Sequence, residues 1–267
     1  MSFQPILPVG GVAGWRLLKA TLPAQRQSFD RTPRLERDTA YFEANIASVR
    51  NADDLVSDRR LLRVALGAFG LGEDISSTAF VRKILEEGAT ARDALANRLT
   101  DTRYRALARE FGFGDPLGAR TGDPGFGERI SDLFRTREFE VAVGEQDDAM
   151  RLALNAERSL PDLVATGSDE TKWLRIMGDP PLRQFFETAL GIPDGFAQVD
   201  LDRQVDEFSN RARRQLGIEG LSDLEDPANI QRLIDRFLVR EQTSAFSASS
   251  AGSTALTLLQ SMRPLFA

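Results

Sequence analysis

The chain has 267 residues, of which 42% are hydrophobic and 28% are charged, so it is long and apolar enough to bury a core. It contains no cysteine and no histidine. These absences exclude disulfides, thiolate and histidine metal sites, and catalysis by Ser-His-Asp or Cys-His groups. The formal net charge of −6 gives no overall basic field that would attract nucleic acid or anionic lipid.

The first segment in chain order, residues 1–31, is apolar and is interrupted by Pro8, Gly10 and Gly14. It lacks the basic start of a signal peptide, and no stretch reaches the roughly 18 apolar residues that predict a membrane span. We therefore expect a cytoplasmic protein without a membrane span. Export without a cleavable leader would leave no sign in such a sequence.

Residues 32–240 carry the pattern of helices separated by short turns, which predicts an all-α fold, a multi-helical bundle. Apolar residues recur at spacings of three and four, as at positions 55, 61, 62, 65, 66 and 69. No stretch alternates apolar and polar residues over the length of a strand. The Asp-Pro pairs are typical of helix starts, because the carboxylate caps free N–H groups and proline needs no donor there. They occur at 115–116, 123–124, 179–180 and 226–227.

Two parts of this helical body resemble each other. The sequence DRRLLRVALGAFGL begins at Asp58, and DPPLRQFFETALGI begins at Asp179. They align without a gap and share the aspartate, a leucine, an alanine and a glycine. One interpretation is a structural repeat, with related lobes at 32–112 and 168–240 joined by 113–167. The other is that any two capped helices share a cap, an apolar stripe and a final glycine, and the sequence leaves both open.

Several segments have the residue types of a functional site without its spacing. The glycine-rich stretch 112–127 is predicted to be a flexible loop, since it lacks the Gly-Lys-Ser/Thr ending of a phosphate-binding loop. Acidic pairs such as 53–54 are typical of helix caps, and the acidic group at 200–207 lacks the glycine of a calcium loop. The basic cluster at 211–214 is flanked by acidic residues, which favours a salt-bridged surface. We therefore predict no catalytic residue, no metal, no cofactor and no nucleic-acid partner.

The two ends of the chain carry the best signal for a protein partner. Residues 241–267 form a Ser/Ala-rich linker followed by an apolar C-terminal segment. One interpretation is that both ends dock on a partner, and the other is that they pack on their own domain or on each other. The candidate docking residues are Trp15, Leu17, Leu18, Leu258, Met262, Leu265 and Phe266.

The central part of the sequence resembles an uncharacterised bacterial family, domain of unknown function 1217. The resemblance covers about residues 35–240 and excludes the glycine-rich loop and the two ends. It is carried by Tyr41-Phe42, DDLVSDRRL at 53–61, AFGL at 68–71, KILEEG at 83–88, ANRL at 96–99, Asp101 to Tyr104, RLAL at 151–154, and 182–191. It implies an all-α domain without assigned catalytic residues. Because such proteins are often encoded among flagellar genes, it also implies a flagellar role, with signal-less export to a flagellar structure as one destination.

Together these observations favour a non-enzymatic helical structural or interaction protein with a protein partner, associated with the flagellum. The alternative is a binding module that holds a small molecule or a peptide in a cleft between the two lobes. A ligand-sized space between 58–71 and 179–192 would favour the alternative, and a solid interface there would count against it. The sequence does not fix the oligomeric state.

Overall fold

The computed structural model describes the backbone of residues 3–193 and 195–261 and the side chains of 3–193 and 195–244. These residues form thirteen α-helices and four short 3-10 helices, with no strand among them, which confirms the predicted all-α fold. In the same residues, no helix is both long and apolar enough to cross a membrane. The helices are α1 Gly11–Asp30, α2 Pro33–Asn45, α3 Ala52–Ser57, α4 Arg59–Ala68, α5 Thr78–Glu87, α6 Leu95–Arg98, α7 Thr102–Phe111, α8 Phe126–Gly144, α9 Asp148–Val164, α10 Asp169–Met177, α11 Pro180–Leu190, α12 Leu201–Leu216 and α13 Pro227–Ser261.

Aspartate caps start many of these helices, but only two of the four Asp-Pro pairs do so. Pro180 and Pro227 are the first residues of α11 and α13. The pairs at 115–116 and 123–124 instead lie in turns of the loop before α8. Asp-Pro suits a type I turn as well as a helix start, because proline fixes the same φ in both. All four Asp-Pro pairs therefore mark a turn or the start of an element, but only two of the four mark the start of a helix.

The buried side chains form two large cores. The first core is built from residues between Leu35 and Phe134, and the second from Trp15, Leu18 and residues between Phe139 and Leu238. The boundary falls inside α8, so this helix contributes to both cores. The segment 113–167, which the sequence assigned as a connection between lobes, therefore supplies side chains to both.

Helices α4 and α11, which carry the internal sequence similarity, have the same local structure at both ends. Asp58 and Asp179 cap their first turns by accepting backbone N–H groups. At the other end the N–H of Leu71 donates to the carbonyl of Leu66 at 2.9 Å, and the N–H of Ile192 donates to Glu187 at 2.8 Å. A left-handed glycine precedes each donor, as helix C-caps of this type require. These shared caps are local, so the structural repeat stays a prediction.

The glycine-rich segment is a loop, as predicted, but it is tied to neighbouring elements at several points. The hydroxyl of Thr121 is buried and donates to the carbonyl of Val49 at 2.6 Å. The carboxylate of Asp115 accepts from the hydroxyl of Thr90 at 2.6 Å. These bonds connect the loop to the first core and set the position at which α8 begins.

Candidate ligand groove and the two chain ends

The structure places two of the predicted docking residues in the protein's own core. Trp15 and Leu18 are each 1% exposed and pack in the second core. The indole N–H of Trp15 donates to the side-chain carbonyl of Gln231 on α13 at 3.4 Å. Leu17, between them in sequence, faces outward and is 41% exposed. Both Trp15 and Leu18 are buried in this conformation, and a docking role for the N-terminal residues stays a prediction.

The remaining docking candidates lie at the C-terminal end. The backbone of α13 is helical as far as Ser261, and among the side chains of this helix that the structure describes, which end at residue 244, the last in the second core is that of Leu238. Leu258 lies in this helix beyond the last described side chain, and Met262, Leu265 and Phe266 lie outside the described residues. The docking role of these four stays a prediction.

The basic cluster of α12 is engaged with acidic neighbours. The guanidinium of Arg211 lies 2.5 Å from the carboxylate of Glu207, and that of Arg213 lies 3.3 Å from Glu219. Arg211 also donates to the carbonyl of Leu190 at the end of α11. These contacts show that arginines of the cluster form ion pairs and hydrogen bonds with neighbouring residues at the surface of the second core. Across the described residues, no group of three or more acidic side chains is arranged to hold a metal ion.

A groove of about 690 Å³ lies where the two cores meet. Its walls come from α4, α8 and α9, with Pro181 of α11 at one side. It therefore contains residues of both 58–71 and 179–192, the two segments between which the sequence placed a cleft. Pockets of this volume are typical of small-molecule sites. The lining includes six arginines and four glutamates: Arg34, Arg59, Arg63, Arg103, Arg137, Arg151, Glu73, Glu138, Glu140 and Glu145.

The inner wall of the groove contains a buried polar network between α8 and α9. Arg158 donates to both carboxylate oxygens of Glu140, at 2.7 and 3.2 Å. Arg137 reaches the same carboxylate only at 3.5 Å and donates to Oδ1 of Asn155 at 2.6 Å. Oδ1 of Asn155 also accepts from Arg158 at 2.7 Å, whereas its Nδ2 is buried without a partner. A buried amide N–H without an acceptor costs about 1–3 kcal/mol, so this wall is incompletely satisfied.

The charges of this network are not balanced. One carboxylate, Glu140, faces two guanidiniums, those of Arg137 and Arg158. Burial, and then the charge of Arg158, lower the pKa of Arg137 to about 10. Both causes act against the charged form, so Arg137 has too little negative charge near it to offset its desolvation.

Gly70 brings a third guanidinium close to this wall. Arg103 donates to the carbonyl of Gly70 at 2.5 Å and is held by Asp101 through several hydrogen bonds. A Cβ atom on Gly70 would lie 3.5 Å from Nη1 of Arg103 and 3.9 Å from Cζ of Arg137. Gly70 also has a φ of 71°, which other residues adopt with strain. The helix-ending glycine of α4 therefore stands between two arginines of the groove.

At the rim of the groove, Glu138 lies largely out of water with one weak ionic contact. The guanidinium of Arg34 is 3.6 Å from its carboxylate. Burial raises the pKa of Glu138 above its ordinary value, and Arg34 opposes that shift only in part. A second cavity of about 320 Å³, lined by Phe3, Phe29 and Phe134, opens on the other side of the same carboxylate.

Sequence reasoning singled out none of these groove residues for a site. Arg59, Arg103 and Arg151 appeared within motifs of the family resemblance. The signal available in the sequence was Asn155, a polar residue on the apolar face of α9 between Leu152 and Leu160. A buried amide in such a position needs hydrogen-bond partners, but its neighbours come from α8, which the sequence does not place beside it.

In the described residues, two hydrophobic cores with a ligand-sized charged groove between them define an all-α protein with a candidate small-molecule site. The model of the family described as "Protein of unknown function (DUF1217)" matches residues 68–230, more than half of the chain. The chain belongs to this family, which confirms the resemblance. A crystal structure of a protein from Agrobacterium tumefaciens is similar to this chain at 28% identity, with a TM-score of 0.72. The match covers 90% of this chain and 99% of that one. No curated protein matches significantly.

Proposed function

We propose that the chain is a cytoplasmic, non-enzymatic interaction protein that docks on a protein partner through the end of α13 and serves flagellar assembly. The observation that carries the proposal is the length of this helix. It has 35 residues, about 52 Å at 1.5 Å per residue, and its last side chain in the second core, among those described, is that of Leu238. The helix backbone therefore continues from residue 244, the last with a described side chain, as far as Ser261.

The composition of this continuation favours a partner. Residues 242–262 contain no charged side chain and are rich in Ser, Ala and Thr, with leucines at 256, 258 and 259. Ser, Thr and Gly are poor helix formers, and isolated helices of this length are marginal in water. Apolar contacts with another protein would supply the missing stabilisation, as in other complexes in which a helix packs in a groove.

The absence of histidine and cysteine supports a role outside catalysis, since the usual general base and thiol nucleophile are both missing. The flagellar part of the proposal is supported by the gene association that the family resemblance implies. Export to a flagellar structure remains one destination for such a protein.

The proposal is tested by two triple variants of the full chain. In the first, Leu258, Met262 and Leu265 are changed to Ala; in the matched control, Thr254, Thr257 and Ser261 are changed to Ala. We expect the first variant to lose capture of a flagellar or export component from motile cells, and the control to keep it. If these residues dock on a partner and not on the body, both variants keep the unfolding free energy of the parent within about 1 kcal/mol.

Two results would contradict the proposal. One is a large loss of stability in the first variant with unchanged association, which would mean that the segment packs on its own body. The other is a capture experiment that recovers no flagellar or export component, together with normal motility of a strain lacking the gene.

A second function, binding of a small ligand between the two cores, is favoured by the groove itself. Its volume is in the range of small-molecule sites, and its inner wall holds a buried amide donor without an acceptor. A solid interface between 58–71 and 179–192 would have counted against this function. The test is a ligand titration that perturbs the groove residues, designed below for one class of ligand.

A further inference from the structure

The inner end of the groove contains three guanidiniums that are unequally paired with carboxylates. Arg103, Arg137 and Arg158 lie there near three carboxylates, those of Asp101, Glu140 and Asp179. Asp101 is held by Arg103, and both oxygens of Glu140 accept from Arg158. Arg137 is therefore the guanidinium without a close carboxylate of its own. A guanidinium fork is best satisfied by two oxygens of one acid group at 2.7–2.9 Å, and its contact with Glu140 is 3.5 Å.

Hydrogen-bond donors also exceed acceptors at this end. The two guanidinium donors, Arg137 and Arg158, share Oδ1 of Asn155, which fixes the orientation of the amide. Nδ2 of the same amide, in a residue only 1% exposed, then has no acceptor. Side-chain donors of Arg137 and Asn155 thus lie at a place that has too few acceptor oxygens. Burial lowers the pKa of Arg137, and the carboxylates of Glu140 and Asp179 offset this lowering only in part.

Arg137 nevertheless lies in a wall that is open to the groove. The glycines at 67, 70, 72 and 144 line the same space, and at these four positions no side chain projects into the groove. Val141, one helical turn after Arg137 on α8, is 51% exposed and also lines the groove. Residues four apart on a helix are neighbours on one face, so Val141 marks the side from which a ligand reaches Arg137.

We propose that the inner end of this groove binds a small oxyanion, a carboxylate or a phosphate group, on the guanidinium of Arg137. The inference rests on the second proposed function, ligand binding in the groove, and names its ligand class. An acid group supplies both missing features, a close two-oxygen partner for the guanidinium of Arg137 and acceptor oxygens for the surplus donors. A cationic ligand would meet like charge at this end, and a neutral one would leave Arg137 uncompensated.

The test is a titration of the full chain at constant ionic strength, followed by the backbone amide resonances of Gly70 and Gly144. The probes are inorganic phosphate, succinate, and succinamide, the neutral amide with the same carbon skeleton as succinate. Saturable shifts of the groove amides with phosphate or succinate, and none with succinamide, are expected. The relative affinities of phosphate and succinate distinguish a phosphate site from a carboxylate site.

Two variants at one exposed position make the test independent of folding. Val141→Glu places a carboxylate beside Arg137 as an internal competitor, and Val141→Gln is its neutral match in size. We expect Val141→Glu to bind the oxyanion about fivefold or more weakly than Val141→Gln, because one added like charge near a partly buried site repels the ligand and the neutral match of the same size does not. Arg137→Gln should abolish binding, and its folding is checked by the amide spectrum.

The possible failures separate the two claims. Equal shifts with succinamide and succinate would overturn the oxyanion inference and leave ligand binding in the groove intact. Unchanged affinity in Val141→Glu would overturn it as well, because the ligand would then bind away from Arg137. No shift of groove amides with any probe would overturn the inference, and with it the evidence for small acids or their amides as ligands of the groove.

Discussion

The substitutions Leu18→Ala and Leu17→Ala compare a buried residue of α1 with an adjacent exposed one. Leu18 is 1% exposed in the second core, whereas Leu17 is 41% exposed, because consecutive residues of a helix point in directions about 100° apart. Each substitution removes about three carbon atoms, worth about 2.4 kcal/mol when fully buried at about 0.8 kcal/mol per CH₂ group. The unfilled cavity adds to this, so we expect about 3 kcal/mol of destabilisation for Leu18→Ala.

Leu17→Ala should cost about 1 kcal/mol or less, because much of the side chain already contacts water and alanine is the better helix former. Urea unfolding of both variants, followed by helical circular dichroism with a shared slope, gives the two free energies. Equal losses for both variants, or a loss below about 1 kcal/mol for Leu18→Ala, would refute the packing of α1 in the core. The N-terminal helix would then again be a candidate for docking.

Three further predictions concern packing and charge at the groove. Gly67→Ala should destabilise the fold by about 1–3 kcal/mol in the same urea assay, because its Cβ would lie 2.5 Å from the ring of Phe134. Gly72→Ala is the control and should be close to neutral, because a Cβ there would have nothing within 4 Å. Glu140→Gln should cost about 3 kcal/mol, since it leaves two guanidiniums without their shared carboxylate, and a loss under 1 kcal/mol by thermal unfolding would contradict the buried network. Glu138→Gln should stabilise the protein at neutral pH, because burial raises the pKa of Glu138 in the folded state and the charged form is therefore disfavoured there. This advantage should shrink as the pH falls through the raised folded-state pKa towards the ordinary value, where the wild-type carboxyl is also neutral, and a pH-independent difference would contradict it.

The parts of this protein that the sequence predicts well are those set by neighbours within one or two helical turns. Asp179 caps α11, and Gly191 ends it in a left-handed conformation, as cap and breaker residues predict. The exclusion of whole reaction classes is equally a sequence result, since it follows from residue types that are missing. The Asp-Pro turns at 115–116 and 123–124 show the limit of such rules, because one dipeptide satisfies two kinds of local structure.

The position of Trp15 could not be settled in this way. Its apolar helix is compatible both with a core and with a docking segment, and the hydrogen bond that places it reaches Gln231, 216 residues away in the chain. Burial of a helix face depends on which other face it meets, and that choice is made by the summed packing of the domain.

The groove also depends on the tertiary packing of the helices. Arg137 and Glu140 are one turn apart on α8, and Asn155 and Arg158 are one turn apart on α9, so each pair is legible in the sequence. Their meeting, the unequal sharing of one carboxylate and the unpaired amide of Asn155 arise only when the two helices pack side by side. Hydrogen bonds and desolvation act over a few ångströms in space, whatever the separation along the chain. For that reason the sequence determined the helices, whereas the tertiary structure decided where their charges meet.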